Sequence, residues 1–117
     1  MKNTIEALVN GNRDILEFYE RAREHWKQIL QEVQPLNDST LAARLRPGQF
    51  WFEQNCGGRH LGQEIMVLTG IAQFYSTDDG FTGNRDRAMM VLNALKNCAS
   101  PDVEYHARYI GEIYDLV

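Results

Sequence analysis

The residues closest to an enzyme's are a cysteine and a histidine on either side of a glycine loop, Cys56-Gly57-Gly58-Arg59-His60. A cysteine becomes a nucleophile when a nearby imidazole or guanidinium lowers its pKa, and free amides at the glycines could hold an oxyanion. A triad also needs a group that orients the histidine, and spacing assigns none. We favour the alternative, a loop at the start of a helix with a half-buried thiol, and predict no catalytic residues.

A metal site is the second chemistry that these residue types allow. Cys56, His60, Cys98 and His106 could together supply the four ligands of tetrahedral zinc. Cys56 and His60 are four positions apart, and Cys98 and His106 are eight apart. In the common zinc modules the two ligands of a pair tend to lie closer in the sequence. The sequence also has no glycine-rich phosphate loop and no dinucleotide fingerprint. We therefore predict no metal and no cofactor.

The aromatic run Phe50-Trp51-Phe52 is the strongest candidate for a binding site. Neighbouring residues on a helix diverge by about 100°, so three adjacent rings cannot all point inward. Exposed aromatic rings beside arginine are typical binding anchors. We predict a partner-binding site made of Arg46, Phe50, Trp51, Phe52 and Arg59. The alternative is a loop that buries all three rings.

Composition limits the class of protein. The 117 residues suit one domain, and 44% hydrophobic with 24% charged residues is the ordinary globular balance. A net charge of −4 argues against a surface for nucleic acid, which needs clustered lysine and arginine. No apolar run approaches the length that spans a bilayer, and we expect no secretory signal in the first residues, which have no extended apolar core. We expect a cytoplasmic protein whose two cysteines stay reduced.

The elements that would position these residues are helices, because apolar residues recur at steps of three and four. We expect a short helix from Asn3, a long one from Asn12 to about Pro35, a short one that ends before Pro47, a buried central one over 61–75, and two more that begin at Asn84 and Ser100. Residues 49–53 suit a helix, a buried strand or an irregular wedge. The prediction is one all-α domain, 1–117, a compact bundle of five to six helices arranged as helical hairpins.

A pattern recurs thirty-nine residues apart, as Ile71-Ala72-x-x-Tyr75 and Ile110-Gly111-x-x-Tyr114. A second set, Ala88, Leu92, Leu95 and Pro101, has the offsets of Ala22, Trp26, Ile29 and Pro35. Together they resemble tetratricopeptide or Sel1-like repeats, although the spacing is longer than in those families. The resemblance implies stacked helical hairpins that bind partners.

A second segment, Phe74 to Asp86, resembles part of the drug-binding domains of thiostrepton-induced regulators. That likeness implies an apolar pocket, for which Met66, Met89 and Met90 are candidates. Our main prediction is a small non-enzymatic protein-binding module: an adaptor, chaperone, immunity protein or inhibitor of a larger partner. A small-molecule-binding domain and a Cys56/His60 enzyme remain alternatives. We expect no membrane and no nucleic acid, and a homodimer is possible.

Overall fold

The computed structural model describes residues 13–75, 85–98 and 100–113. Those residues form five α-helices and no strand: α1 Arg13–Glu32, α2 Asp38–Asn55, α3 Arg59–Tyr75, α4 Arg85–Lys96 and α5 Pro101–Ile113. The all-α prediction is confirmed. The predicted helix after Asn3 and most of the segment over 74–86 lie outside the described residues. No described helix is both long enough and apolar enough to span a membrane.

The third helix, α3, is the centre of the bundle and contacts each of the other four helices. Every residue from Ile65 to Ala72 is buried, as expected of a helix that is apolar almost all round. Two glycines allow its neighbours to approach closely. A Cβ on Gly62 would lie 2.5 Å from the Phe52 carbonyl oxygen of α2, and one on Gly70 would lie 2.6 Å from the Trp26 ring of α1.

The first helix, α1, packs on α3 through Trp26, which has no exposed surface. Its indole nitrogen Nε1 donates a hydrogen bond of 2.9 Å to the Met66 carbonyl oxygen, so the one polar atom of this buried ring is satisfied. Ala22 and Ile29 continue the buried stripe, and Val33, directly after the helix, is buried as well. The predicted amphipathic helix that ends before Pro35 is therefore confirmed.

The second helix, α2, corrects one prediction, because it does not end before Pro47. Residues 49–53 are helical, which is one of the alternatives that the sequence left open. A proline inside a helix removes the hydrogen bond to the carbonyl four residues earlier, here that of Ala43. Both Ala43 and Pro47 are on the exposed side, where water can bind that carbonyl. The buried stripe runs on past the proline as Leu41, Ala42, Leu45, Gly48 and Phe52, and its packing holds the helix together.

The helix starts follow the predicted turn residues where the structure describes them. Asn37 caps α2 in a reciprocal pair: its side chain accepts from the Thr40 amide at 2.9 Å, and its amide donates to the Thr40 hydroxyl at 3.2 Å. Ser100 accepts from the Val103 amide at the start of α5. Between α2 and α3, Gly57 and Gly58 have φ of 97° and 104°, a backbone conformation that favours glycine.

Candidate functional site

The three adjacent aromatic residues of α2 lie in three different environments. Phe52 has no exposed surface and packs in the core, whereas Phe50 is 60% exposed. Trp51, between them, is half-buried. The prediction that at least one ring is exposed is confirmed. Phe52 cannot contact a partner in this structure, so we leave it out of the candidate site.

Trp51 is held at the surface by a histidine from α1. The rings of His25 and Trp51 are parallel, with 3.7 Å between their centroids and 7° between their planes. The Phe52 ring meets both of them edge-on, with centroids 5.3 Å away in each case. The stack fixes the indole in one orientation, and it joins α1 to the exposed side of α2.

His25 is neutral in this stack at pH 7. Burial lowers the pKa of its imidazole, the nearby Arg44 lowers it further, and Glu32 opposes them. Its Nε2 atom is buried and makes no hydrogen bond. Burial without a hydrogen-bond partner disfavours the protonated, charged imidazole more than the neutral one. The sequence gives no signal for this contact, because the two stacked residues are 26 positions apart on different helices.

An open groove of about 490 Å³ runs beside the stack, between α1 and the second half of α2. Its lining residues are Glu20, Arg21, Glu24, His25, Gln28 and Trp51. Trp51 supplies the aromatic part of the lining, and the polar side of α1 supplies the rest. We call this surface the Trp51 groove. It joins Trp51 of the predicted aromatic site to charged side chains of both signs on α1.

The other predicted site residues do not line the Trp51 groove. Arg46 and Phe50 are exposed and lie one turn apart on α2, so their side chains are neighbours on the helix surface. Arg59 lies at the start of α3, where its guanidinium pairs with the Asp102 carboxylate at 2.8 Å. The structure thus brings Arg46, Phe50 and Trp51 onto one helix segment, and Arg59 belongs to the contact between α3 and α5.

Two exposed tyrosines on α5 were missed at the level of sequence. Tyr105 is 66% exposed and Tyr109 is 56% exposed, and they too lie one turn apart. Val103, Ala107 and Ile110 face the core. The two tyrosines fall between the positions of that stripe, and this was the signal that could have identified them.

The two cysteines, which the sequence offered as a possible nucleophile or metal ligands, are both buried. Cys56 has no exposed surface, and burial raises the pKa of its thiol to about 11 although Arg21 opposes the shift. Its Sγ donates to the Phe18 carbonyl oxygen at 3.4 Å, and Cys98 Sγ donates to that of Leu95 at 3.2 Å. No three His, Cys, Asp or Glu side chains converge as metal ligands within the described ranges. Cys56 is a protonated, buried thiol at neutral pH.

Comparison with known proteins finds no matching family model, no matching curated protein and no matching solved structure. The resemblance to helical-hairpin repeats therefore stays a prediction.

Proposed function

We propose that this protein is a non-enzymatic binding module that captures a larger protein partner through the Trp51 groove and the neighbouring Arg46 and Phe50. The observation that carries the proposal is the half-buried Trp51, stacked on His25 beside an open groove. A partner would be an adaptor's client or the target of an inhibitor. The cytosol, where unpaired thiols stay reduced, is the compartment that we propose with it.

Tryptophan is enriched among the residues that dominate binding energies, and such residues sit in well-packed surroundings that exclude water. Trp51 already has part of those surroundings before any partner binds. Because His25 already holds the indole in place, the Trp51 side chain would lose less conformational entropy when a partner binds than a freely rotating ring would. The polar side chains of α1 would form the rim of such an interface.

Phe50, next to Trp51 on α2 but outside the groove, adds a large exposed apolar side chain. Water contacts 60% of its area, and burial of that area by a partner is favourable. Arg46, one turn earlier, carries a charge and a long apolar stem that could cover the edge of the contact. Arginine and aromatic residues are the types enriched in interface cores.

Site-specific photocrosslinking tests the proposal. Phe50 is replaced by p-benzoylphenylalanine in one version of the chain, and Tyr105, which is equally exposed on α5, is replaced in a second version. After irradiation in the native cells, we expect one discrete crosslinked protein from position 50 and none from position 105. The two positions are similarly exposed but lie on different helices. A difference in crosslinking between them therefore shows which surface contacts the partner.

Three results would contradict the proposal in different ways. Crosslinks from position 105 alone would place the interface on α5. A product of twice the mass of the chain would indicate a homodimer in place of a larger partner. No product from either position would argue against a protein partner.

A further inference from the structure

The Trp51 groove carries more negative than positive charge, and part of the negative charge is unpaired. Its lining contains two acidic side chains, Glu20 and Glu24, and one basic side chain, Arg21. Within the described part of the chain, Glu20 makes no hydrogen bond or ion pair. Glu24 pairs with Lys27 at 3.2 Å, so the carboxylate of the lining without a partner is that of Glu20.

The cations near the groove already have partners. The Arg21 guanidinium donates at 3.2 Å to the Asn55 carbonyl oxygen, at the negative end of the α2 dipole. It also lies 5.9 Å from the centre of the Phe18 ring. Arg44, on the other side of His25, pairs with Glu32 at 3.2 Å.

Arg23 and Lys27 lie beside the same two carboxylates, those of Glu20 and Glu24. Arg23 lies 6.0 Å from the centre of the Tyr19 ring, and Lys27 pairs with Glu24. His25 is neutral at pH 7, so among the described residues of the groove the charged group without a partner is the Glu20 carboxylate.

We propose that the Trp51 groove receives a cationic side chain, arginine or lysine, from the protein partner, against the indole of Trp51 and close to the carboxylates of Glu20 and Glu24. This inference rests on the proposed function and names the chemistry of its partner. An indole attracts a cation through the negative face of its ring, and a carboxylate binds one by charge-assisted hydrogen bonds. An acidic segment would gain neither interaction. The net charge of −4 would also speed the approach of a basic partner.

The chain contains an internal reference for a direct test. Its two tryptophans are Trp51, in the groove, and Trp26, which is buried and bonded to the Met66 carbonyl. Each gives its own indole N–H signal in a ¹H–¹⁵N spectrum. The probe is N-acetylarginine amide at pH 7.5, and the matched neutral probe is N-acetylcitrulline amide, which has nearly the same shape without the charge.

We expect the arginine probe to shift the Trp51 indole signal saturably and to leave the Trp26 signal in place. The citrulline probe should bind about 2- to 5-fold more weakly, the range that an exposed cation–π contact provides. Glu20→Gln and Glu24→Gln should each weaken arginine binding, and added salt should weaken it in the wild type. Glu112→Gln, at an exposed acid of α5 outside the groove, should change nothing.

The outcomes separate this inference from the proposed function. Equal shifts from the two probes, or no shift of the Trp51 signal by the arginine probe, would overturn the cationic site. Unchanged arginine binding in both glutamine variants would do so as well. The crosslinking from position 50 does not depend on these titrations. A crosslinked partner without an arginine effect would leave the proposed function standing with a different partner chemistry.

Discussion

Trp51 is at the surface because the residues on both sides of it are fixed. Phe52 is locked in the core between α1 and α3, so the rotation of α2 about its axis is set at that position. A step of about 100° backwards brings Trp51 to the edge of α1, and a second step brings Phe50 into water. His25 then covers part of the indole. One core residue thus determines which aromatic residues a partner could reach.

The first prediction concerns Trp51. Trp51→Ala should weaken binding of the partner by about 2 kcal/mol or more, because a preordered tryptophan is the type of residue that dominates an interface. Affinity is measured by isothermal titration calorimetry with the crosslinked partner once it has been identified. Circular dichroism checks that the variant, which also loses the stack with His25, is folded. A folded variant with wild-type affinity would remove Trp51 from the interface.

The second prediction concerns the pH dependence of stability. The folded state holds the pKa of His25 below its value in the unfolded chain, about 6.5. As the pH falls through 6.5 the unfolded chain binds a proton first, so the free energy of unfolding should decrease until the folded-state pKa is reached. Urea unfolding at pH 7.5 and 5.5 measures the difference. His25→Phe keeps a ring against Trp51 and should reduce the difference; an unchanged difference would assign it to other groups.

The third prediction concerns the two thiols. Cys56 and Cys98 are both buried, and burial raises the pKa of each. Iodoacetamide at pH 7.5 should therefore label both slowly in the folded protein and quickly in denaturant, because the thiolate is the reactive form. Mass spectrometry of the peptides follows the two sites separately. Rapid labelling of Cys56 alone would instead favour the cysteine-enzyme alternative.

At the scale of elements, the sequence alone predicts a helix correctly where residues close together in the chain determine where it starts, ends or packs. The apolar steps of α1 and α3, and the serine and proline that start α5, each act within a few residues. Pro47 was interpreted wrongly because its local signal is to end a helix, whereas the outcome depended on a buried stripe that continues as far as Phe52. The stack of His25 on Trp51 could not be predicted, since it depends on how α1 packs against α2.

The fourth prediction concerns the close approaches to α3. Gly62→Ala should lower the free energy of unfolding by roughly 1–3 kcal/mol, the usual cost of overpacking, because a Cβ would meet the backbone of Phe52 and Glu53 at 2.5–2.8 Å. Gly70→Ala should also destabilise, because the ring of Trp26 blocks the space. Denaturant unfolding followed by circular dichroism measures both.

Gly48→Ala is the matched control for these two variants. It is also a buried glycine inside a helix, but the nearest atom to its Cβ would be the end of the Arg44 side chain, at 2.7 Å. That flexible end can move, and alanine is favoured over glycine in a helix by up to about 1 kcal/mol. Gly48→Ala should be neutral or stabilising. Equal losses for all three variants would show that close helix contacts are not the cause.

At the scale of the whole molecule, the described helices form a bundle around α3 with one aromatic groove on the side of α1 and α2, and two exposed tyrosines on α5. The all-α class followed from periodicity over the entire sequence. The site followed only in part: Trp51 and Phe50 are exposed to different degrees, Phe52 is in the core, and Arg59 pairs with Asp102. Which residues share a surface depends on helix packing, and no spacing within the sequence encodes it.

The central claim is that a protein partner binds at the Trp51 groove. Native mass spectrometry of the chain purified gently from its own cells tests it most directly, with Trp51→Ala and Tyr109→Ala purified in parallel. The account predicts a stoichiometric protein partner on the wild type and on Tyr109→Ala, and its loss from Trp51→Ala. A bare chain in all three samples, or an adduct of a few hundred daltons in place of a protein, would contradict it.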